Sequence, residues 1–86
     1  MFEFDPNKSK SNEQKHGIDF YTARRLWKDP RRVEIPARYV DEPRFLIIAS
    51  MGRDIWSAIY TVRNKRISSV RKARENEKEI YHSSRI

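Results

Sequence analysis

The sequence predicts an α+β fold. A short N-terminal strand and a four-strand meander form a small antiparallel sheet, with two N-terminal helices and one C-terminal helix covering one face of it. Three observations predict this. Helix-start signals stand at Asp5-Pro6 and Ile18-Asp19, strand-like apolar runs fill 32–72, and helical spacing returns after Ala73. The expected layout is a single domain over 1–86: strand and helices in 1–31, antiparallel strands in 32–72, helix and tail in 73–86.

Met1-Phe2-Glu3-Phe4 alternates and reads as the short strand. Asp5 is placed to cap a helix that Pro6 opens, and Gly17 to stop it. Between them, Asn7 to His16 holds no aliphatic or aromatic residue, so this helix either frays or ties polar members such as Asn12 and His16 into hydrogen bonds. Asp19 caps a second helix with Phe20, Ala23, Leu26 and Trp27 at core spacing, and Asp29-Pro30 ends it. Arg32 to Arg38 alternates around Val33 and Ile35, and Pro36 suits an edge strand. A loop covers Val40 to Pro43; Arg44 to Ser50 is apolar enough to be buried on both faces. After the turn at Met51-Gly52-Arg53-Asp54, Ile55 to Val62 puts Ile55, Ile59 and Thr61 on one side and Trp56, Ala58, Tyr60 and Val62 on the other. Asn64-Lys65 makes a tight reversal, since Asn tolerates the left-handed conformation. Arg66 to Lys72 is the last strand, Ala73 to Tyr81 the terminal helix, and His82 to Ile86 a fraying tail.

The charge is uneven. In 1–43 nine bases face eight acids, and in 44–86 ten face four, so most of the net +7 belongs to the second half. Such a half favours a polyanionic partner through counterion release; a merely solvated surface is the bland reading. No cysteine is present, so disulfides and thiolate metal sites are excluded. Two histidines far apart and no paired carboxylates beside the basic strands give no ligand cluster, and no metal or cofactor is expected. No apolar run is long enough for a membrane span and no signal pattern opens the chain, so a cytoplasmic protein without membrane contact is expected.

The densest basic stretch is Arg63 to Arg74, six bases and no acid. Guanidiniums on a rigid sheet hold phosphates in fixed geometry, so this stretch reads as a phosphate-handling surface for RNA. Arg63 at a strand end and Arg71 on the neighbouring strand are the first catalytic candidates, on condition that both converge in one hollow. Arg66, Lys72 and Arg74 are helpers in substrate binding, with Tyr60 as a stacking ring and Ser69, beside Ser68, as a hydroxyl. For the core-lying alternative, Trp56 is assigned to the interior. His16 is the acid–base candidate with Lys15 beside it; equally, His16 can simply close its helix against the last carbonyls. Glu75, Glu77 and Glu79 read as surface pairing partners.

Several fragments together resemble the BrnT toxins of bacterial type II toxin–antitoxin systems. They are Phe2-Glu3-Phe4-Asp5-Pro6, Asn12, Lys15-His16-Gly17-Ile18, Phe20 with Ala23, Asp29-Pro30, Arg44-Phe45, Tyr60-Thr61-Val62-Arg63, Arg66-Ile67-Ser68, Arg71-Lys72-Ala73, and Tyr81 after Glu77. The resemblance spans nearly the whole chain. It implies a fold similar to RelE-like ribonucleases, endoribonuclease cleavage that halts translation, and neutralisation by a cognate BrnA-like antitoxin. It also implies binding of operator DNA only through the toxin–antitoxin complex. The residues by themselves leave open a non-catalytic RNA- or DNA-binding module, or an interaction protein with a basic surface.

Overall fold

The computed structural model describes residues 2–37 and 42–83; Met1, the expected strand end at Arg38, the loop through Val40 and Asp41, and the tail 84–86 lie outside them. The elements in order are α1 (Pro6–His16), α2 (Phe20–Ala23) continuing as a 3₁₀ segment (Arg24–Lys28), β1 (Val33–Ala37), β2 (Arg44–Met51), β3 (Asp54–Thr61), β4 (Arg66–Lys72) and α3 (Glu75–Ser83). The four strands form one antiparallel sheet in the order β1-β2-β3-β4.

Local signals set most boundaries. The Asp5 carboxylate accepts from the Asn7 N–H at 2.8 Å, and Gly17 closes α1 in the left-handed region at φ 77°. Asp19 accepts from the Thr22 N–H at 2.8 Å and starts α2. The expected second helix is α-helical for one turn only, then tightens into 3₁₀ geometry, as chains do when a helix runs out. Asp29 precedes Pro30, which disfavours helical geometry, and is extended.

The N-terminal strand is corrected. The segment makes a single parallel bridge between Glu3 and Arg66, with the Glu3 N–H donating to the Lys65 carbonyl at 3.2 Å and the Ile67 N–H to the Glu3 carbonyl at 2.9 Å. Helix α1 begins at once after Asp5-Pro6 and leads the chain away before a ladder can form. Phe2 and Phe4 instead pack on Trp27 and Phe20.

Helices on one face only is the second correction. Along β2, Ile47 and Ala49 join Trp56, Ala58, Tyr60, Ile67 and Val70 under Phe20, Ala23 and Leu26. Their neighbour Ile48 packs on the opposite face with Ala73 and Tyr81 of the α3 end. The sheet is therefore covered on both sides, as the two-faced apolar run of β2 requires. Full burial of a side chain such as Phe20, Leu26 or Ile47 is worth about 1.5–3 kcal/mol.

Asp29 ties two elements to its own turn. Its carboxylate accepts from the Tyr81 hydroxyl of α3 at 2.6 Å, the Ser50 N–H of β2 at 2.8 Å and the Arg31 N–H at 2.9 Å. Burial works against the charge, but these hydrogen bonds outweigh it and hold the carboxyl below its ordinary range.

The β3–β4 reversal is wider than a two-residue turn. Thr61 pairs with Arg66, leaving 62–65 as the loop, and Lys65, not Asn64, takes the left-handed conformation at φ 48°. The Arg66 N–H donates to Thr61 Oγ1 at 3.3 Å across the closing pair, and the Val62 N–H turns away to the Pro43 carbonyl at 3.3 Å. Arg63 thus stands on a loop and not on a strand. Further along, Ile59 pairs with Ser69 but Tyr60 with Ile67, so Ser68 is the extra residue of a bulge.

Polar α1 is secured by two buried side chains. Ser9 Oγ accepts from the Phe20 N–H at 2.8 Å. Asn12 donates through Nδ2 to the Ile18 carbonyl at 2.8 Å and the Val70 carbonyl at 2.9 Å, and its Oδ1 accepts from the Val70 N–H at 3.2 Å. Its amide stands in for a neighbouring strand along the β4 edge. Asn12→Ala leaves those backbone groups without partners and is expected to lower stability by about 2–4 kcal/mol, as read by urea unfolding. A loss below about 0.5 kcal/mol would mean that water replaces the amide fully.

Candidate functional site

Because α1 has no apolar stripe, the face it turns to the β4 edge and to solvent is built of polar side chains. Lys8, Ser11, Asn12 and Lys15 recur at helical spacing, and His16 follows at the last turn. Opposite them the bulge re-aims Ser68, with Ser69 beside it. These residues line a hollow of about 240 Å³ that also touches Phe20. No acid lines it. It offers two ammonium groups, one imidazole and several hydroxyls within one concavity, a set able to bind an anion and move protons.

A second hollow of about 160 Å³ adjoins it and shares Lys8 and Ser68. Arg44, Thr61 and Arg66, which lie side by side across three strands, line it together with Asp5 and Glu42. Arg44 Nε–H is buried and meets no acceptor among the described residues.

Of the residues expected from sequence, Lys15, His16 and Ser69 come together in the first hollow, and Arg66 lies in the second. Arg63 does not join them. It lines a separate depression of about 420 Å³ with Glu3, Val62, Asn64 and Lys65. Arg71 is near the far end of β4, five residues or about 16 Å beyond Arg66. Arg63 and Arg71 therefore stand toward opposite ends of the β3–β4 ladder, and the pair does not converge as the sequence reading required.

Arg71 is occupied elsewhere. Its Nη1 donates to Glu77 Oε1 at 2.7 Å and its Nη2 to Oε2 at 2.9 Å. Glu77 also accepts from Ser57 Oγ at 2.9 Å and the Arg74 N–H at 2.8 Å, so it is a buried hub and not a surface pairing partner. The Arg71 guanidinium foremost, helped by those two donors against the effect of burial, pulls the Glu77 carboxyl down to about 2.

Lys72 is exposed, 3.9 Å from Asp54, and Arg74 is exposed at the entry to α3. Both belong to the Arg71 end of the sheet, away from Arg66. Tyr60 is corrected from a stacking ring to a core residue. It is 5% exposed, packs edge-on against Trp27 at 5.0 Å, and donates its hydroxyl to Glu34. Burial, then the Glu34 carboxylate, pushes the phenol up. Trp56 is core as expected.

Sequence reasoning missed Lys8, Ser11 and Arg44. The 8-11-15 spacing in α1 was a legible signal for the first two. Ile67 and Val70, both buried and three apart in a strand, betray the bulge, because an unbroken strand alternates with period two.

Among the described residues no helix is long and apolar enough to cross a membrane, and no three His, Cys, Asp or Glu side chains gather as a metal would need. A search of curated proteins finds no match. One family model matches, over residues 4–77, and it describes the ribonuclease toxin, BrnT, of type II toxin–antitoxin systems. That match takes in α1, the whole sheet and the first turn of α3, every element that builds the two hollows, and the chain belongs to the BrnT family of ribonuclease toxins.

Proposed function

We propose that the protein is a metal-independent endoribonuclease that cuts RNA in the groove between α1 and β4, halting translation and growth. The observation that carries this is the acid-free hollow holding Lys8, Lys15, His16, Ser68 and Ser69. In the reaction the substrate's 2′-oxygen attacks phosphorus and loses its proton, and the leaving 5′-oxygen gains one. The products are a 2′,3′-cyclic phosphate and a 5′-hydroxyl. His16 is the proton carrier, because an imidazole ring has one nitrogen able to accept a proton and another able to give one. Lys15 and Lys8 offset the charge that grows on the phosphoryl oxygens. Ser68 and Ser69 hydroxyls position the backbone.

The four antiparallel strands with flanking helices support a RelE-like relationship, and the single domain acts in the cytoplasm. A cognate BrnA-like antitoxin with a DNA-binding part neutralises it, and operator DNA is met only through that complex. Its basic groove is a natural target for such a partner.

The test is incubation of purified, folded protein with RNA in excess chelator. Fragments with cyclic or 3′-phosphate ends are expected. Intact RNA at enzyme excess, with salt-sensitive binding, would leave a non-catalytic RNA-binding module instead.

Arg63 enters this reading as a phosphate contact for RNA leaving the groove. Arg63→Ala is expected to weaken RNA binding severalfold, more at low salt, with melting temperature unchanged, since the side chain is exposed. Complete loss of toxicity with unaltered RNA affinity would return Arg63 to the chemistry itself.

A further inference from the structure

The second hollow differs from the first in one respect that decides its ligand: it mixes signs. Lys8, Arg44 and Arg66 face Asp5 and Glu42. One Asp5 oxygen already accepts from the Asn7 N–H as a helix cap, which leaves Glu42 as the freer acceptor. Two carboxylates make this a poor place for a phosphate. They suit a neutral, planar group that carries donors and acceptors side by side.

Among RNA bases guanine is that group. Its N1–H and N2–H₂ form an adjacent donor pair for a carboxylate, and its O6 and N7 form an adjacent acceptor pair for a guanidinium. Adenine, cytosine and uracil do not offer two neighbouring donors together with two neighbouring acceptors. The Arg44 and Arg66 guanidiniums both line the hollow and supply the forked donors that such an acceptor edge needs. The cavity of about 160 Å³ holds one base.

We infer that the Asp5–Arg44–Arg66 hollow is a guanine pocket, and that it selects where the RNA is cut. Glu42 accepts from the base's Watson–Crick edge, Arg44 and Arg66 donate to O6 and N7, and Thr61 closes the row between them. Lys8 and Ser68 belong to both hollows, so a base seated here places a neighbouring phosphate beside His16. The inference rests on the ribonuclease reading for its consequence at the cut site, but not for binding itself.

Titration of the intact protein with the four nucleoside 3′-monophosphates tests the pocket directly. Guanosine 3′-monophosphate is expected to bind about tenfold or more tightly than the other three. Glu42→Ala and Arg66→Ala, each checked for an unchanged melting temperature, should abolish that preference. Equal affinities for all four nucleotides overturn the inference. In parallel, cleavage sites mapped on RNA of mixed sequence should cluster beside guanosine in the wild type and disperse in Glu42→Ala. Cleavage with no guanosine preference sinks the pocket and leaves the ribonuclease standing. Guanine-selective binding without any cleavage keeps the pocket and sinks the ribonuclease.

Discussion

Replacing Arg71 with alanine is expected to destabilise the domain by about 3 kcal/mol and to lower its melting temperature by more than about 10 °C. The pair it breaks is bidentate, at 2.7 and 2.9 Å, and only 9% of the Glu77 side chain is exposed. Without the guanidinium, Glu77 keeps two donors, Ser57 and the Arg74 N–H, but its charge has no partner in a largely dry site. Because 29% of the Arg71 side chain meets solvent, the cost sits at the low end of the range for buried pairs.

The same contact makes an acid-dependent signature. Glu77 lies at about 2 in the fold against an ordinary 4.5, so its contribution is fully present above about 4.5 and drains away as pH falls toward 2. Melts between pH 2 and 7 should show the wild type losing stability over that window and Arg71→Ala losing much less. If the variant instead melts within a degree or two of wild type and fails only in RNA cleavage, Arg71 belongs to catalysis and the structural assignment is wrong.

His16→Ala should behave in the opposite way. His16 is exposed on the last turn of α1, where a cation is worth tenths of a kcal/mol to the helix. Its melting temperature should stay near wild type while single-turnover cleavage falls about 10²- to 10⁴-fold. A rate within about threefold of wild type would confine His16 to closing the helix and move the proton transfers to another group.

These two residues illustrate what could be read in advance. That Lys15 and His16 stand together on the polar face of α1 was legible, because a helix with no apolar residue has to present its polar side chains to something. The face-to-face assignment of Trp56, Ala58 and Tyr60 followed from strand alternation, and the structure keeps it. The ion pair of Arg71 with Glu77 was not legible, because strand spacing tells which side a residue is on, and says nothing about what waits there. Its partner Glu77 is six residues on, across the turn at Ala73, and only the return of α3 over the sheet brings the carboxylate home. Tyr60 was misread for a related reason. An aromatic on a sheet face stacks on a base only if no helix covers that face, and here Trp27 does.

By itself the sequence determined what short-range chemistry controls: the caps at Asp5 and Asp19, the left-handed stop at Gly17, the edge position of Pro36, and the two-faced burial of β2. Backbone hydrogen bonds and side-chain periodicity act within a few residues, so a linear reading reaches them. The tertiary structure alone decided which cations share a cavity. Lys8 lines a hollow with Ser68, and Arg44 lines one with Arg66, because α1 is pinned to the β4 edge by Asn12 and because three strands align in register. Those placements bring together residues far apart in the chain, and no local preference encodes them.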